Sequence, residues 1–278
     1  MKAAIAVVMA DACERYGVVL IALVVMSNHY HAVVYDESGL VSEWMRDVHA
    51  QIARFGNVLH GGRSHFWDAQ EGNAVELEGL QTIADAVGYV IANPVAAGLV
   101  ASPTAWPGLK TRVEDIGTGR GPRFERPARF FKSGGPVSVA ARLTCSAPPG
   151  VDVERFRSMA AAATRRAVGA ARKRVVEDGR GFLGAPAVEA QGPFDRPSTD
   201  EPNPGGLRAK YRRRFAGPDD EATRAMVERA RAFRSDYARA RARLQNGRRD
   251  VVFPRGTHRL WLYFGVEREP PPALRAAA

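Results

Sequence analysis

Apolar residues in this chain fall into a few unbroken or periodic blocks. Residues 18–26, Val-Val-Leu-Ile-Ala-Leu-Val-Val-Met, predict a strand, and after the polar pair Ser27-Asn28 the segment 29–35 predicts its hairpin partner. Ahead of them, the apolar stretch running from Met1 to Tyr16 predicts a helix whose C-terminus is marked by Gly17. Residues 41–55 predict a second helix, and 86–94 a third that its own proline ends, because the ring removes a donor and restricts the preceding residue.

The second half is patterned more loosely. Residues 153–177 predict a long helix, and 219–246 another that opens on Asp219, Asp220 and Glu221 and becomes arginine-rich towards its end, in keeping with the helix dipole. Within it Met226, Phe233, Tyr237 and Leu244 recur at spacings of seven, four and seven, which predicts a packing stripe with the arginines outside. Leu-Trp-Leu-Tyr-Phe at 260–264 predicts a short strand. Stretches rich in Pro and Gly at 117–127, 145–150 and 192–206 predict connections. The resulting division is a first unit over 1–116, a connecting segment over 117–150 and a mainly helical region over 151–278; no internal repeat is visible.

Two pairs of residues carry candidate chemistry. His29 and His31 sit at i and i+2, so a strand would point both imidazoles to one face and let them hold a single divalent ion; strand histidines are also ordinary hydrogen-bonded residues. Tyr89 and Asn93 sit at i and i+4, so a helix would place phenol and amide on one face, near the same ion and the same phosphate. Helical tyrosines more often pack. His60, His65 and His258 have no partner at metal-ligand spacing, and Arg54, Lys110 and Arg112 are unranked candidates for phosphate contact.

Taken in order, Met-Ser-Asn-His-Tyr-His-Ala-Val-Val from Met26, Gly62-Arg63-Ser64-His65-Phe66-Trp67, Tyr-Val-Ile-Ala-Asn-Pro from Tyr89, and Trp106-Pro107 resemble the motifs of the IS200-like, REP-associated tyrosine transposases. The resemblance covers about residues 5–110. It implies a ferredoxin-like α+β domain with two metal-binding histidines, His29 and His31, a nucleophilic Tyr89 and an amide ligand, Asn93. It also implies single-stranded or hairpin DNA as substrate, cleaved through a 5′-phosphotyrosine intermediate. The mixed nitrogen and oxygen ligands suit Mg²⁺ or Mn²⁺ rather than a closed zinc cage. Such domains normally begin with a strand that lies centrally beside the histidine strand, whereas this chain begins with a helix. The expectation is an exposed sheet edge at the site, from a start upstream of Met1 or a shortened copy. A non-catalytic DNA-binding relative is the alternative. The resemblance leaves a homodimer and a monomer both open.

Charge adds a partner. Residues 1–150 carry 13 Lys and Arg against 14 Asp and Glu, while 151–278 carry 27 against 16, so the whole excess of +10 lies in the second region. Such a region suits nucleic-acid phosphates, and also a merely solvated surface. The densest cluster, Arg165, Arg166, Arg172, Lys173 and Arg174, reads equally as a DNA-contacting or a solvated helical face. Arg63 and Trp67 could grip a single strand and stack on a base, with burial of Trp67 the alternative. Only Cys13 and Cys145 are present, which indicates neither a disulfide framework nor a cysteine zinc site and fits a reducing, cytoplasmic setting. The N-terminal segment is a poor secretory signal, and no membrane span or membrane partner is expected. No P-loop, nucleophile elbow or paired carboxylates support kinase, esterase or glycosidase chemistry.

Overall fold

The computed structural model describes residues 1–61, 66–67, 74–128, 140–192, 195, 214–255, 257, 260 and 264–268. The architecture is mixed α and β. Helix α1 (Lys2–Tyr16) ends at Gly17, whose φ of 64° is unstrained only without a side chain, and the Val18 amide returns to the Cys13 carbonyl at 3.0 Å. The chain then enters an antiparallel hairpin of β1 (Val19–Val25) and β2 (Tyr30–Tyr35). Its two-residue turn is Ser27-Asn28, closed by the Met26 amide on the His29 carbonyl at 2.8 Å. The register sets Val24 opposite His31 and Val25 opposite Tyr30.

β1 is the inner strand. Its other edge is occupied by the segment after Trp106: the Val25 amide donates to the Leu109 carbonyl at 2.9 Å, and the Thr111 amide to the Leu23 carbonyl at 2.7 Å. Trp106 is buried against the same edge, donating its indole N–H to the Val25 carbonyl at 3.0 Å. Strand β1 is accordingly covered on both faces and both edges, which explains its unbroken apolar sequence. The outer edge of β2 has no strand partner among the described residues.

Helix α2 (Val41–His60) runs one turn beyond its expected end, to Gly61 at φ 66°, and buries Trp44, Val48, Ile52 and Phe55 at roughly helical spacing. After β3 (Glu76–Leu77) comes α3 (Leu80–Ala96), which corrects the expectation that Pro94 ends its helix. Proline forfeits only its own donor and crowds the carbonyl one turn back. So near the C-terminus the last turn still closes, with the Ala97 amide on the Asn93 carbonyl at 2.9 Å.

Strands β4 (Arg123–Glu125) and β5 (Ala140–Arg142) pair against α1, and α4 (Val153–Glu177) follows, its N-terminus capped by Asp152 accepting from the Arg155 amide at 2.7 Å. α4 packs along α3 through small residues on both sides: Ala84, Gly88 and Ala92 on one helix, Ala160, Ala163 and Ala171 on the other. At Gly88 the backbones are so close that a Cβ would lie 2.7 Å from the Ala163 carbonyl carbon. Phe156, fully buried, belongs to the same apolar cluster as β1, so packing runs continuously across the sequence division at 150/151.

The remainder comprises α5 (Ala185–Ala190), β6 (Phe215–Ala216) parallel to β3, α6 (Asp220–Gln245), and β7 (Val252–Phe253) parallel to β8 (Glu267–Arg268). Of the stripe on α6, Met226 is buried and Tyr237 and Leu244 are half-buried, but Phe233 is exposed. A small second cluster gathers Ala240, Val251, Phe253 and Val266. The strand expected at 260–264 lies largely outside the described residues. Among the described residues no helix is long and apolar enough to cross a membrane.

Candidate functional site

The hairpin is held between two helices that touch its alternate residues. Odd-numbered His31 meets α3, where the edge of its ring approaches Tyr89 with centroids 5.4 Å apart and planes at 80°. Even-numbered Tyr30 points the other way, to α2, where its hydroxyl lies 2.8 Å from His49 Nε2. His29 sits beside His31, ring centroids 4.9 Å apart. Three of the four expected residues, His29, His31 and Tyr89, thus come together from β2 with its turn and from α3.

Both imidazoles are biased towards the neutral form. Burial lowers the pKa of His29, and burial together with the neighbouring His29 lowers that of His31 to about 4. His29 Nδ1 lies 2.6 Å from the Asn28 Oδ1, so the ring N–H is donated there and Nε2 keeps its lone pair. Sequence reading assigned Asn28 only a turn; its orienting role depends on the hairpin bringing the amide back to the ring.

Tyr89 is 56 % exposed, so its side chain is reachable from solvent. Asn93 is half-buried one turn further along α3, and its amide makes no hydrogen bond with the described residues. The two imidazoles offer nitrogen ligands and the Asn93 amide an oxygen ligand, a donor set of mixed character. Among the described residues no group of three or more His, Cys, Asp or Glu is placed to hold a metal.

The other expected contacts separate. Trp67 is half-buried on the α2 side: its indole N–H donates to the His49 carbonyl at 2.8 Å and its ring lies 5.0 Å from His49. Arg63 and His65 lie outside the described residues, as does His258. Lys110 donates to the Thr104 and Trp106 carbonyls at 2.5 and 2.6 Å, and Arg112 is paired with Glu114, so both are engaged within the fold. On α4, Arg165, Arg166, Arg172, Lys173 and Arg174 are all exposed. Arg166 pairs with Asp85 at 2.7 Å, Arg172 donates to the Ala101 carbonyl at 2.8 Å, and Lys173 faces Glu177 at 3.6 Å. Cys13 and Cys145 are free thiols, and burial pushes both up to about 11, away from nucleophilic use.

No protein-family model matches the chain, and no curated protein or solved structure matches it either.

Proposed function

We propose that this protein is a tyrosine strand transferase acting on single-stranded or hairpin DNA with Mg²⁺ or Mn²⁺, of the kind its IS200-like motifs suggest. The observation that carries the reading is the meeting of His31 and Tyr89 across the 20-residue α2, with an exposed phenol beside two neutral imidazoles. A packing tyrosine would be covered, and strand histidines retained for packing would not need a shared open face.

In this reading His29, His31 and Asn93 hold the ion. When bound, it supplies polarisation of the non-bridging oxygens of the scissile phosphate. Tyr89 attacks the phosphorus through its phenolic oxygen; a new phosphorus–oxygen bond forms and the bond to the 3′-oxygen breaks. The proton the phenol loses is balanced by the one the departing 3′-oxygen gains. The phosphotyrosine ester conserves the bond energy, so the reverse attack by another 3′-hydroxyl needs no nucleotide. Exposed basic residues of α4 contribute affinity without reading sequence.

A second reading, a DNA-binding relative without strand-transfer activity, is favoured by the unpaired outer edge of β2 among the described residues. Incubation with labelled single-stranded hairpins and Mn²⁺, followed by a denaturing gel, separates the two. The first reading expects an adduct that disappears in Tyr89→Phe and with chelator. Salt-sensitive binding without any adduct selects the second.

A further inference from the structure

On α3 the residues Asp85, Tyr89 and Asn93 follow one another at intervals of four, so they form a row along one face. α4 places one basic side chain on that row: the Arg166 guanidinium, 2.7 Å from Asp85 Oδ1. Gln81 approaches the same oxygen at 3.1 Å from the preceding turn. The pair is set by the fold rather than by local sequence, because the close approach of Gly88 to Ala163 and Thr164 brings the two helices together just there. Both partners are more than half exposed, so their mutual attraction is weak and readily exchanged.

We propose that Arg166 is a phosphate-binding residue of the tyrosine site, and that Asp85 occupies it as a carboxylate stand-in while no strand is bound. The proposal rests on the strand-transfer reading for its substrate and deepens it. A guanidinium offers two parallel donors to a phosphate as well as to a carboxylate, and the phosphate on a strand laid along the row would sit one turn from the Tyr89 phenol. Asp85 then serves two purposes. It aims the fork of Arg166 in the free protein, and it repels anions that cannot displace it, so a strand engages only where several phosphates bind together. Exchange replaces one ion pair by another, and no bond is made or broken.

The test is the sign of two opposing substitutions. Affinity for a fluorescent single-stranded oligonucleotide, in chelator so that no cleavage occurs, is measured for the unaltered chain, Asp85→Asn, Arg166→Gln and the double variant. Adduct yield with Mn²⁺ and melting temperature are recorded alongside. We expect Arg166→Gln to weaken binding about tenfold, the size of a lost charge-assisted pair. Asp85→Asn is expected to tighten it, the double variant to resemble Arg166→Gln, and Arg166→Lys to recover the charge but only part of the affinity. A pair that acts only through general charge predicts a double variant that binds like the unaltered chain rather than like Arg166→Gln, because its net charge is unchanged; that result, or the same direction for both single substitutions, or unchanged affinity, or no oligonucleotide binding by the unaltered chain, overturns the proposal. If a Tyr89-dependent adduct forms while the opposing shifts are absent, this inference fails and the strand-transfer reading stands. If the shifts appear without an adduct, the phosphate role stands and strand transfer fails.

Discussion

The helix pair α3–α4 and the helix α6 are fixed in opposite ways, although α4 and α6 are of similar length, 25 and 26 residues, and both rich in charge. α3 and α4 are locked along their length by small residues in close contact and by Phe156, which has no exposed surface. α6 is 26 residues long but fully buries only Met226 and Ala240, one near each end, and its middle is open to solvent. Arg229 ties its first half to Glu78, and Tyr237 packs on Phe253 in the second cluster. A reactive side chain needs a fixed position within a fraction of an ångström, and only the first arrangement can give that. The second can present charge but cannot aim it.

Breaking the core of each region should expose this difference. Phe156→Ala is expected to cost about 3–5 kcal/mol of unfolding free energy in urea, because a large, fully buried ring leaves a cavity. Phe233→Ala on α6 is expected to cost well under that, about 0.5 kcal/mol, since the ring is exposed. Comparable losses would mean that α6 is packed as firmly as α4.

A subtler change should act through position. Gly88→Ala gains helix propensity but must push α4 off the Ala163 backbone, with a net loss of about 1–2 kcal/mol. Because Tyr89 is the next residue, the loss of adduct formation should exceed what the small loss of folded protein explains. An activity that falls only with the folded fraction would show that helix spacing does not set the nucleophile.

Acidification should loosen the site as well. The folded-state pKa of His31 lies near 4, below its ordinary 6.5, and those of His29 and His49 are lowered by burial in the same direction. As pH falls, the unfolded chain takes up these protons first. Stability is therefore complete above about pH 6.5 and is lost progressively down to about pH 4. Urea midpoints between pH 7.5 and 4.5 should decline, less steeply in His31→Gln; an unchanged slope in that variant would remove His31 from the account.

The smallest effect belongs to charge alone. Arg165 and Arg174 are exposed and have no ion pair with the described residues. Replacing both by Ala should leave melting unchanged. It should reduce the slope of log affinity against log salt on single-stranded DNA by about 1.4, or 0.7 per lost phosphate contact. The same pair of substitutions at Arg224 and Arg241 on α6 gives the comparison: a larger change there would move the nucleic-acid surface away from the tyrosine helix.

Much of this division was legible in the sequence, and the parts that were not share a cause. The hairpin, α1 and the last long helix carry local signals: unbroken apolar runs, the terminal Gly17, and the acidic start of α6 at Asp219, Asp220 and Glu221. The motif residues His29, His31 and Tyr89 were readable because their spacing fixes which face they share. What escaped depends on contacts distant in sequence. Leu109 and Thr111 complete the edge of β1 without any strand pattern of their own, and Arg166 finds Asp85 across 81 positions. The alanines through which α4 packs on α3 carry no signal that sets them apart from an ordinary helix. Pro94 misled through a rule for helix interiors, applied where only the last turn was affected.

The most direct test of the central claim is peptide mass spectrometry of the product formed with Mn²⁺ and a single-stranded hairpin, after nuclease digestion. The account predicts a nucleotide joined through its 5′-phosphate to Tyr89. A nucleotide on any other residue, or none on a chain that binds the hairpin tightly, would contradict it.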